Sequence, residues 1–248
     1  MKLRVFYNFL SFIAVVFLLS SCSSIFMPNV PATPMFSDKG EGYVAAHINT
    51  KGNFSANAGV AITDHLAIIA NGSSVNKGLN SNNHFKQHLA EGALGYYTKM
   101  GKSKLQILEI YGGYGIGNSR DIDQRATVVG FQAVEAKVMD FNKVFVQVNY
   151  SSTKKKKINL FGEKRTLNYG TAIRISRIGM TDFSINGEKK DKEENYFIEP
   201  IFFTRLQLIK GLQVQYTTGF NVGFIKNEYL KAGNSVFTLG ISYNFGKK

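Results

Sequence analysis

Two stretches near the C-terminus decide the fold: QVQYTTGFNVGF at Gln213–Phe224 and VFTLGISYNF at Val236–Phe245. In both, aromatic or aliphatic residues occupy nearly every second position, and small or polar residues occupy the positions between them. Because successive side chains of a β-strand point to opposite faces, each stretch predicts a strand with one apolar face and one small, polar face. Alternation of this kind fits either a soluble sandwich or a membrane barrel.

The same alternation recurs along the chain, and the total is about ten predicted strands. The earlier segments are Gly42–Asn49, Asn53–Ile62, Leu66–Val75, Leu89–Lys99, Leu105–Gly117, Lys143–Ser151, Leu167–Ile178 and Phe197–Leu208. No segment after Gly40 has a convincing helical period. A composition of 24 Gly and 4 Pro, with 20 Phe and 12 Tyr, also favours strands joined by turns.

The connections between these segments alternate in length. The odd-numbered ones are mostly long and polar: Asn76–His88, Asn118–Asp140, Gly179–Tyr196 and Ile225–Ser235. The even-numbered ones are mostly short (Thr63–His65, Met100–Lys104, Ile209–Leu212), although Ser152–Thr166 is longer. Long connections at one end and short turns at the other are typical of transmembrane β-barrels. An even number of strands places both termini at the short-turn end, so we expect the N-terminus on the periplasmic side.

The second face of each strand distinguishes the two architectures. In a soluble sandwich that face carries charge to water, whereas here it consists mostly of Gly, Asn, Ser, Thr and Gln. We therefore predict an all-β, antiparallel up-and-down transmembrane barrel whose last strand pairs with Gly42–Asn49. In the last two strands we expect Val214, Tyr216, Phe220, Phe237, Leu239 and Ile241 to face lipid, and Gln213, Gln215, Asn221 and Asn244 to face the lumen.

The N-terminus has the features of an export signal. Residues 1–21 form the predicted signal peptide, and Leu19-Ser20-Ser21-Cys22 resembles the bacterial lipobox, in which the Cys is acylated. An ordinary signal peptide with an incidental Cys22 is the alternative. Residues 22–39 contain Pro28, Pro31 and Pro34 and predict an extended, lipidated tether that spaces the anchor from a barrel at residues 40–248.

Several short motifs carry a family resemblance. They are the lipobox, the proline-rich segment leading into Asp38-Lys39-Gly40-Glu41, the stretch Ala61–Leu66 followed by Ala70-Asn71-Gly72, and Lys143–Gln147. In these the chain resembles the outer-membrane β-barrel lipoproteins of Bacteroidota. The resemblance implies an outer-membrane location, a barrel, and a fatty acyl group such as palmitate on Cys22. It implies no general activity.

Charged residues on the lumen face are the candidate site. Alternation places Glu91, Glu109, Glu199, Arg174, Arg205, Lys99 and His47 inside the barrel. They would form either a selectivity lining for a solute path or an internal network that plugs the lumen. A ten-stranded barrel has little free space once Tyr97, Tyr111 and Phe203 are inside, which favours the plug. Because a buried carboxylate without a cationic partner is costly, we expect some Glu to pair with Arg174 or Arg205.

Other patterns support no further chemistry. The net charge of +13 fits an anionic lipid surface or lipopolysaccharide phosphates, and the export signal argues against nucleic acid. Lys154–Lys157 cannot lie in hydrocarbon and predicts an aqueous turn that ends its strand near Ser151. His84 and His88 lack further ligands at a metal-site spacing, and Gly112–Gly117 lacks phosphate-loop spacing. We expect no metal and no cofactor.

The sequence therefore predicts a non-enzymatic outer-membrane barrel lipoprotein with a structural or surface-interaction role and a largely plugged lumen. A small-solute pore is the first alternative, and a lipid-modifying enzyme at the barrel rim is the second. The sequence names no ligand and no oligomeric state.

Overall fold

The computed structural model describes residues 24–246 apart from 50–51, 79–82, 128–129, 161 and 233–235. The predicted signal peptide at 1–21 and Cys22 therefore lie outside the described residues. No helix in the described part of the chain is long and apolar enough to cross a membrane.

Within the described residues, twelve strands form one antiparallel sheet. They are β1 (Gly42–Ile48), β2 (Asn53–Ala61), β3 (Leu66–Lys77), β4 (Asn83–Met100), β5 (Gln106–Thr127), β6 (Gly130–Leu160), β7 (Glu163–Ile185), β8 (Glu188–Lys189), β9 (Glu194–Gln207), β10 (Leu212–Gly219), β11 (Val222–Gly223) and β12 (Val236–Phe245). The short strands β8 and β11 pair only with the ends of β7 and β9. The other ten form a closed ring, because β9 pairs with both β7 and β10 and β1 pairs with both β2 and β12. The prediction of a ten-stranded barrel closed by its last and first strands is confirmed.

Side chains alternate between the outside and the inside of this ring. Large apolar side chains are exposed on its outer face, among them Val44, Phe54, Ile68, Leu94, Ile110, Tyr114, Val146, Ile175 and Phe202. In the closing strands Tyr216, Phe220, Phe237, Leu239 and Ile241 are exposed, and Gln215, Asn221 and Asn244 are buried, as predicted. Val214 and Gln213 are both partly buried. An apolar exterior around a polar interior is the reverse of a soluble protein and is typical of a membrane-spanning barrel.

The strands extend further than the apolar pattern predicts. Asn118–Asp140 is not a long loop, because β5 continues to Thr127 and β6 begins at Gly130. At the other end β6 continues through the lysine run to Leu160, with a register shift between Ser152 and Lys156, so the predicted end near Ser151 is wrong. Outside hydrocarbon a polar strand still satisfies its backbone groups through the ladder, so the loss of the apolar face ends the membrane span without ending the strand.

The β5–β6 extension carries a cluster of charges. Lys137 on β6 lies 2.5 Å from Glu135 and 3.7 Å from Asp123, and it pairs across the strands with Asp121. Burial, together with the neighbouring carboxylate of Asp123, raises the pKa of Asp121 above its ordinary value. These charges mark the extension as lying outside the hydrocarbon layer.

The barrel has two distinct ends. We call the end where β3 joins β4, β5 joins β6, β7 joins β9 and β10 joins β12 the long-connection end. The opposite end, where β2 joins β3, β4 joins β5, β6 joins β7 and β9 joins β10, is the short-turn end. β1 starts and β12 finishes at the short-turn end, where Gly42 pairs with Phe245.

Residues 24–37, called the lumen segment below, correct the expectation of an external tether. The segment is extended, with no helix or strand, but it runs inside the barrel: Phe26, Ala32 and Phe36 are each 0% exposed. A segment without periodicity gives no signal of where it packs. Here the polar wall supplies partners for its backbone groups, which have no ladder of their own.

The lumen segment also corrects the expectation that the residues before β1 lie at the short-turn end. The amide of Ile25 donates to the carbonyl of Tyr229, 3.3 Å away, in the connection that leads to β12 at the long-connection end. Asp38 lies 2.9 Å from Lys99 at the short-turn end. The described chain therefore begins at the long-connection end and crosses the barrel before β1 starts. Counting strands locates only the start of β1, which is why it misplaced the residues before it.

Candidate functional site: the interior of the barrel

Four charged side chains from four strands meet in the part of the lumen nearer the long-connection end. We call Glu91, Lys143, Arg174 and Glu199 the charged cluster. Glu91 lies 3.0 Å from Arg174 and 3.2 Å from Lys143, and Lys143 lies 3.3 Å from Glu199. All four side chains are at most 2% exposed. Opposite charges thus neutralise one another within the barrel wall, which is the condition for burying them at tolerable cost.

The lumen segment adds a neutral member to this cluster. The Asn29 side chain donates to Glu91 at 3.0 Å, and its carbonyl oxygen accepts from Arg174 at 3.2 Å and from Lys143 at 3.5 Å. An amide can do both because it carries donors and an acceptor on one planar group. The ring of Phe26, also in the lumen segment, faces the Lys143 ammonium, with its centroid 5.6 Å from the nitrogen.

Glu109 and Arg205 lie nearer the short-turn end and are satisfied differently. Glu109 accepts from the backbone amides of Met35 at 3.3 Å and Phe36 at 3.2 Å, from the Tyr111 hydroxyl at 3.1 Å and from Asn149 at 3.1 Å. No cation within the described residues forms an ion pair with it. The Glu–Arg pairing expected from the sequence occurs for Glu91 and Arg174 but does not occur for Glu109.

Arg205 likewise pairs with neutral groups. Its guanidinium donates to Gln215 at 2.7 Å, to the Thr33 hydroxyl at 2.6 Å and to the Thr33 carbonyl. It lies between two rings, 5.1 Å from the centroid of Tyr43 and 4.9 Å from that of Phe203. Among the described residues no carboxylate lies within ion-pair distance of Arg205. Cation–π contacts and the main chain of the lumen segment take the place of a counter-ion.

Inward amide side chains bind the rest of the lumen segment. Gln87 accepts from the Met27 amide at 2.8 Å and donates to its carbonyl at 2.6 Å. Ala32 is held on both sides, by Asn71 at its amide (3.1 Å) and by Gln147 at its carbonyl (2.7 Å). Further amide side chains donate to carbonyls of the segment: Asn53 to Pro28, Asn57 to Val30, Asn149 to Ala32 and Asn244 to Pro34.

Glycines make room for the inward rings. Tyr111 lies opposite Gly95, Phe145 opposite Gly113, and Phe203 opposite Gly170 on neighbouring strands. A methyl group added at Gly95 would lie 2.2 Å from the Tyr111 ring, and one at Gly113 would lie 2.4 Å from the Phe145 ring. The glycine-rich stretch Gly112–Gly117 is therefore part of β5, where its inward glycines accommodate bulky neighbours.

Four polar residues singled out in the sequence lie apart from these clusters. His47 is buried in β1 opposite Gly240, where an added methyl group would lie 2.2 Å from the imidazole. Lys99 was expected inside but is exposed at the short-turn end with Asp38. His84 lies 2.9 Å from the side-chain oxygen of Asn76, and His88 is exposed. In the described ranges no group of three or more His, Cys, Asp or Glu residues is arranged to hold a metal ion.

Sequence reasoning missed Lys143 and the amide partners of the lumen segment. Alternation places Lys143, Gln147 and Asn149 on the inward face of β6, so their direction was readable. Their role was not, because nothing in the sequence shows that a peptide lies against them.

A cavity of about 710 Å³ is lined mainly by outward-facing residues of β2 to β6, including Phe54, Ala56 and Tyr114, and so opens on the outer face.

Comparison with known proteins gives similarity of structure only. No family model matches the sequence, and no curated protein matches it. The chain is similar to the translocator domain of the autotransporter NalP from Neisseria meningitidis, with a TM-score of 0.43 and 11% identity over 82% of this chain and 86% of that one. It is also similar to the NanC porin, with a TM-score of 0.32 and 7% identity over 82% of this chain and 98% of that one. At these TM-scores and identities, neither likeness identifies a family or a function.

Proposed function

We propose that this chain is a lipid-anchored barrel of the bacterial outer membrane whose lumen is closed by its own residues 24–37. Its role is structural or one of surface interaction, without enzymatic chemistry. The observation that carries the proposal is the continuous burial of the lumen segment from Ile25 to Phe36. A barrel filled along its length by its own chain serves poorly as a conduit.

The membrane part of the proposal is supported by the outer face. Exposed aliphatic and aromatic side chains surround the ring, and in the described part of the chain each of the ten ring strands is paired on both sides, so the lipid meets no open edge there. The partner implied is outer-membrane lipid. Basic side chains outside the apolar band, such as Lys102, Lys104 and Lys210, suit phosphates of lipids or of lipopolysaccharide.

A small-solute pore is the second candidate. The observation in its favour is that side chains, rather than strand pairing, hold the lumen segment, so its release would leave the sheet intact. Withdrawal would uncover a polar wall that includes Glu109 and Arg205. The pore hypothesis therefore requires the segment to leave the barrel. A lipid-modifying enzyme at the rim is the third hypothesis, and mass analysis of lipid A after expression tests it.

Conductance across a planar lipid bilayer tests the closed lumen. We expect the chain from Cys22 onward to insert without a steady current, and a variant lacking residues 25–36 to conduct where it inserts. The deletion variant shows that an inserted barrel can be detected by current. A steady open current from the chain that retains the segment would contradict the proposal.

The lipid anchor has a separate test. Replacement of Cys22 by Ser should abolish incorporation of a tagged fatty acid, because the thiol is the group that is acylated. The Ser24→Ala variant is the matched control and should remain labelled. Persistence of labelling in Cys22→Ser would show that the lipobox interpretation is wrong.

A further inference from the structure

We infer that the N-terminal end of the mature chain leaves the barrel through the long-connection end, so that the acyl group on Cys22 enters the leaflet on that side. The inference rests on the proposed lipid anchor and reverses the side on which the anchor was expected. With the short turns in the periplasm, the chain displays its lipidated end at the cell surface.

The order of contacts along the lumen segment fixes its direction. Met27 bonds to Gln87 in the first third of β4, and Asn29 bonds to Glu91, four residues further towards the short-turn end. Asp38 then reaches Lys99, next to the last residue of the same strand. The segment therefore runs parallel to β4, from the long-connection end to the short-turn end.

The reach of the chain excludes a return to the short-turn side. Cys22 is two residues from Ser24, and two residues span at most about 8 Å. Asp38 is fourteen residue steps from Ser24, which corresponds to roughly 43 Å for a chain extended at about 3.1 Å per residue. The hydrocarbon core is about 30 Å thick. A lipid on Cys22 cannot reach the leaflet at the short-turn end while the lumen segment stays in place.

The exit lies at the level of the membrane edge. Arg177 and Glu194 form an ion pair on the outer face of β7 and β9, with side chains 44% and 48% exposed. Charges facing lipid are costly near the bilayer midplane, so this pair marks the edge of the hydrocarbon. Phe26 packs 5.7 Å from Phe197, three residues beyond Glu194 on β9. The residues before Phe26 therefore emerge beside the leaflet that we assign to the acyl group.

Apolar side chains pack around the exit, and hydrogen bonds hold the connection beside it. Ile25 and Phe26 belong to a buried cluster with Met139, Phe183 and Leu230 at the long-connection end. The carboxylate of Glu193 accepts from the backbone amides of residues 228, 229 and 230 at 2.7, 3.0 and 2.7 Å. This fixes the connection whose Tyr229 carbonyl accepts from Ile25. The exit is thus an ordered packing site.

Antibody access to a short epitope tag tests the inference in cells that produce the full chain. One variant carries the tag between Ser23 and Ser24. A second carries it between Asp191 and Lys192, exposed residues at the long-connection end, and a third between Lys102 and Ser103, exposed residues at the short-turn end. Each is probed on intact cells and after the outer membrane is permeabilised.

We expect the tag before Ser24 to behave like the tag at residue 191 and unlike the tag at residue 102. Detection on intact cells should then be at least tenfold stronger for the first two tags than for the third. An N-terminal tag that behaves like the tag at residue 102 would overturn the inference, whichever way the barrel is oriented. Failure of the lipid anchor itself would appear separately, as absence of fatty acid labelling on the untagged chain.

Discussion

The charged cluster and the region of Glu109 and Arg205 bury the same kinds of side chain in one lumen, but they neutralise them differently. In the charged cluster, Glu91 and Glu199 meet Arg174 and Lys143 across the wall. Nearer the short-turn end, Glu109 and Arg205 rely on rings, amides and the main chain of the lumen segment. In the first region the wall supplies all the opposite charges, and the lumen segment adds only the neutral side chain of Asn29. The second is complete only when the segment is present, so the segment acts as a structural ligand of its own barrel.

The largest effect of a single substitution is expected in the charged cluster. Arg174→Met removes the guanidinium 3.0 Å from Glu91 and leaves the carboxylate with Lys143 and neutral donors. Breaking a buried ion pair in this way costs about 3–5 kcal/mol. Because Lys143 still pairs with Glu91, we expect a loss of about 3 kcal/mol, at the lower limit of this range. Because the chain has no Trp, urea unfolding in lipid vesicles should be followed by far-ultraviolet circular dichroism.

The matched control for that variant is Arg177→Met, on the same strand but on the outer face in an exposed pair with Glu194. It should leave the unfolding midpoint unchanged. Equal losses in the two variants would mean that the inner pair is not buried as described.

A smaller effect is expected at Glu109. Glu109→Gln keeps the size of the side chain and leaves no buried cation unpaired. Its Nε2 cannot accept a hydrogen bond, however, so the amide of either Met35 or Phe36 loses its acceptor. The loss of free energy of unfolding should be about 1–3 kcal/mol, because one buried backbone donor is left without an acceptor. The comparison of the two regions fails if Glu109→Gln is as damaging as Arg174→Met.

Removing one contact between the lumen segment and Arg205 should lower the free energy of unfolding by less again. Thr33→Val preserves shape but removes the hydroxyl that lies 2.6 Å from the guanidinium. We expect a loss of about 1–2 kcal/mol, since the Thr33 carbonyl continues to accept from Arg205. Thr204→Val, next to Arg205 on β9 but only partly buried, is the control and should be close to neutral. If both variants unfold alike, Thr33 is not bonded inside the barrel.

The smallest effect is expected where the segment leaves the lumen. Asp38→Asn breaks the ion pair with Lys99. The side chain of Asp38 is 64% exposed and that of Lys99 is 35% exposed. Surface pairs of this kind contribute about 0–1 kcal/mol, and salt screens them. Unfolding measured at low and high salt should differ little between this variant and the unchanged chain. A loss comparable to that of Thr33→Val would place Asp38 in a more buried position than the structure shows.

The alternation of side chains predicted most of the barrel because it reports a local property, the face on which each residue lies. It located the part of each of the ten ring strands that carries an apolar outer face, the closing pair, and the inward direction of Glu91, Glu109, Arg174, Glu199 and Arg205. It could not predict where strands end outside the membrane, because polar strands and polar loops have similar composition. Hence the extensions to Thr127 and Leu160 were missed.

The lumen segment was beyond sequence reasoning for a different reason. Three prolines predict an extended chain, and the structure contains one, but an extended chain without alternation fits a linker and a filled lumen equally well. Its location depends on side chains far away in sequence, such as Gln87, 60 residues from Met27, and Asn244, 210 residues from Pro34. Only the assembled barrel brings those partners together.

Amide hydrogen exchange in the lumen segment tests the central claim most directly. The amides of Met27, Ala32, Met35 and Phe36 donate to buried side chains, so peptides covering residues 25–36 should exchange as slowly as those from β4 or β7. Mass spectrometry of the chain in lipid discs measures both at once, with the exposed turn at Gly101–Lys104 as the fast reference. Slow exchange at 25–36 is the predicted result. Exchange as fast as in that turn would show that the segment lies outside the barrel.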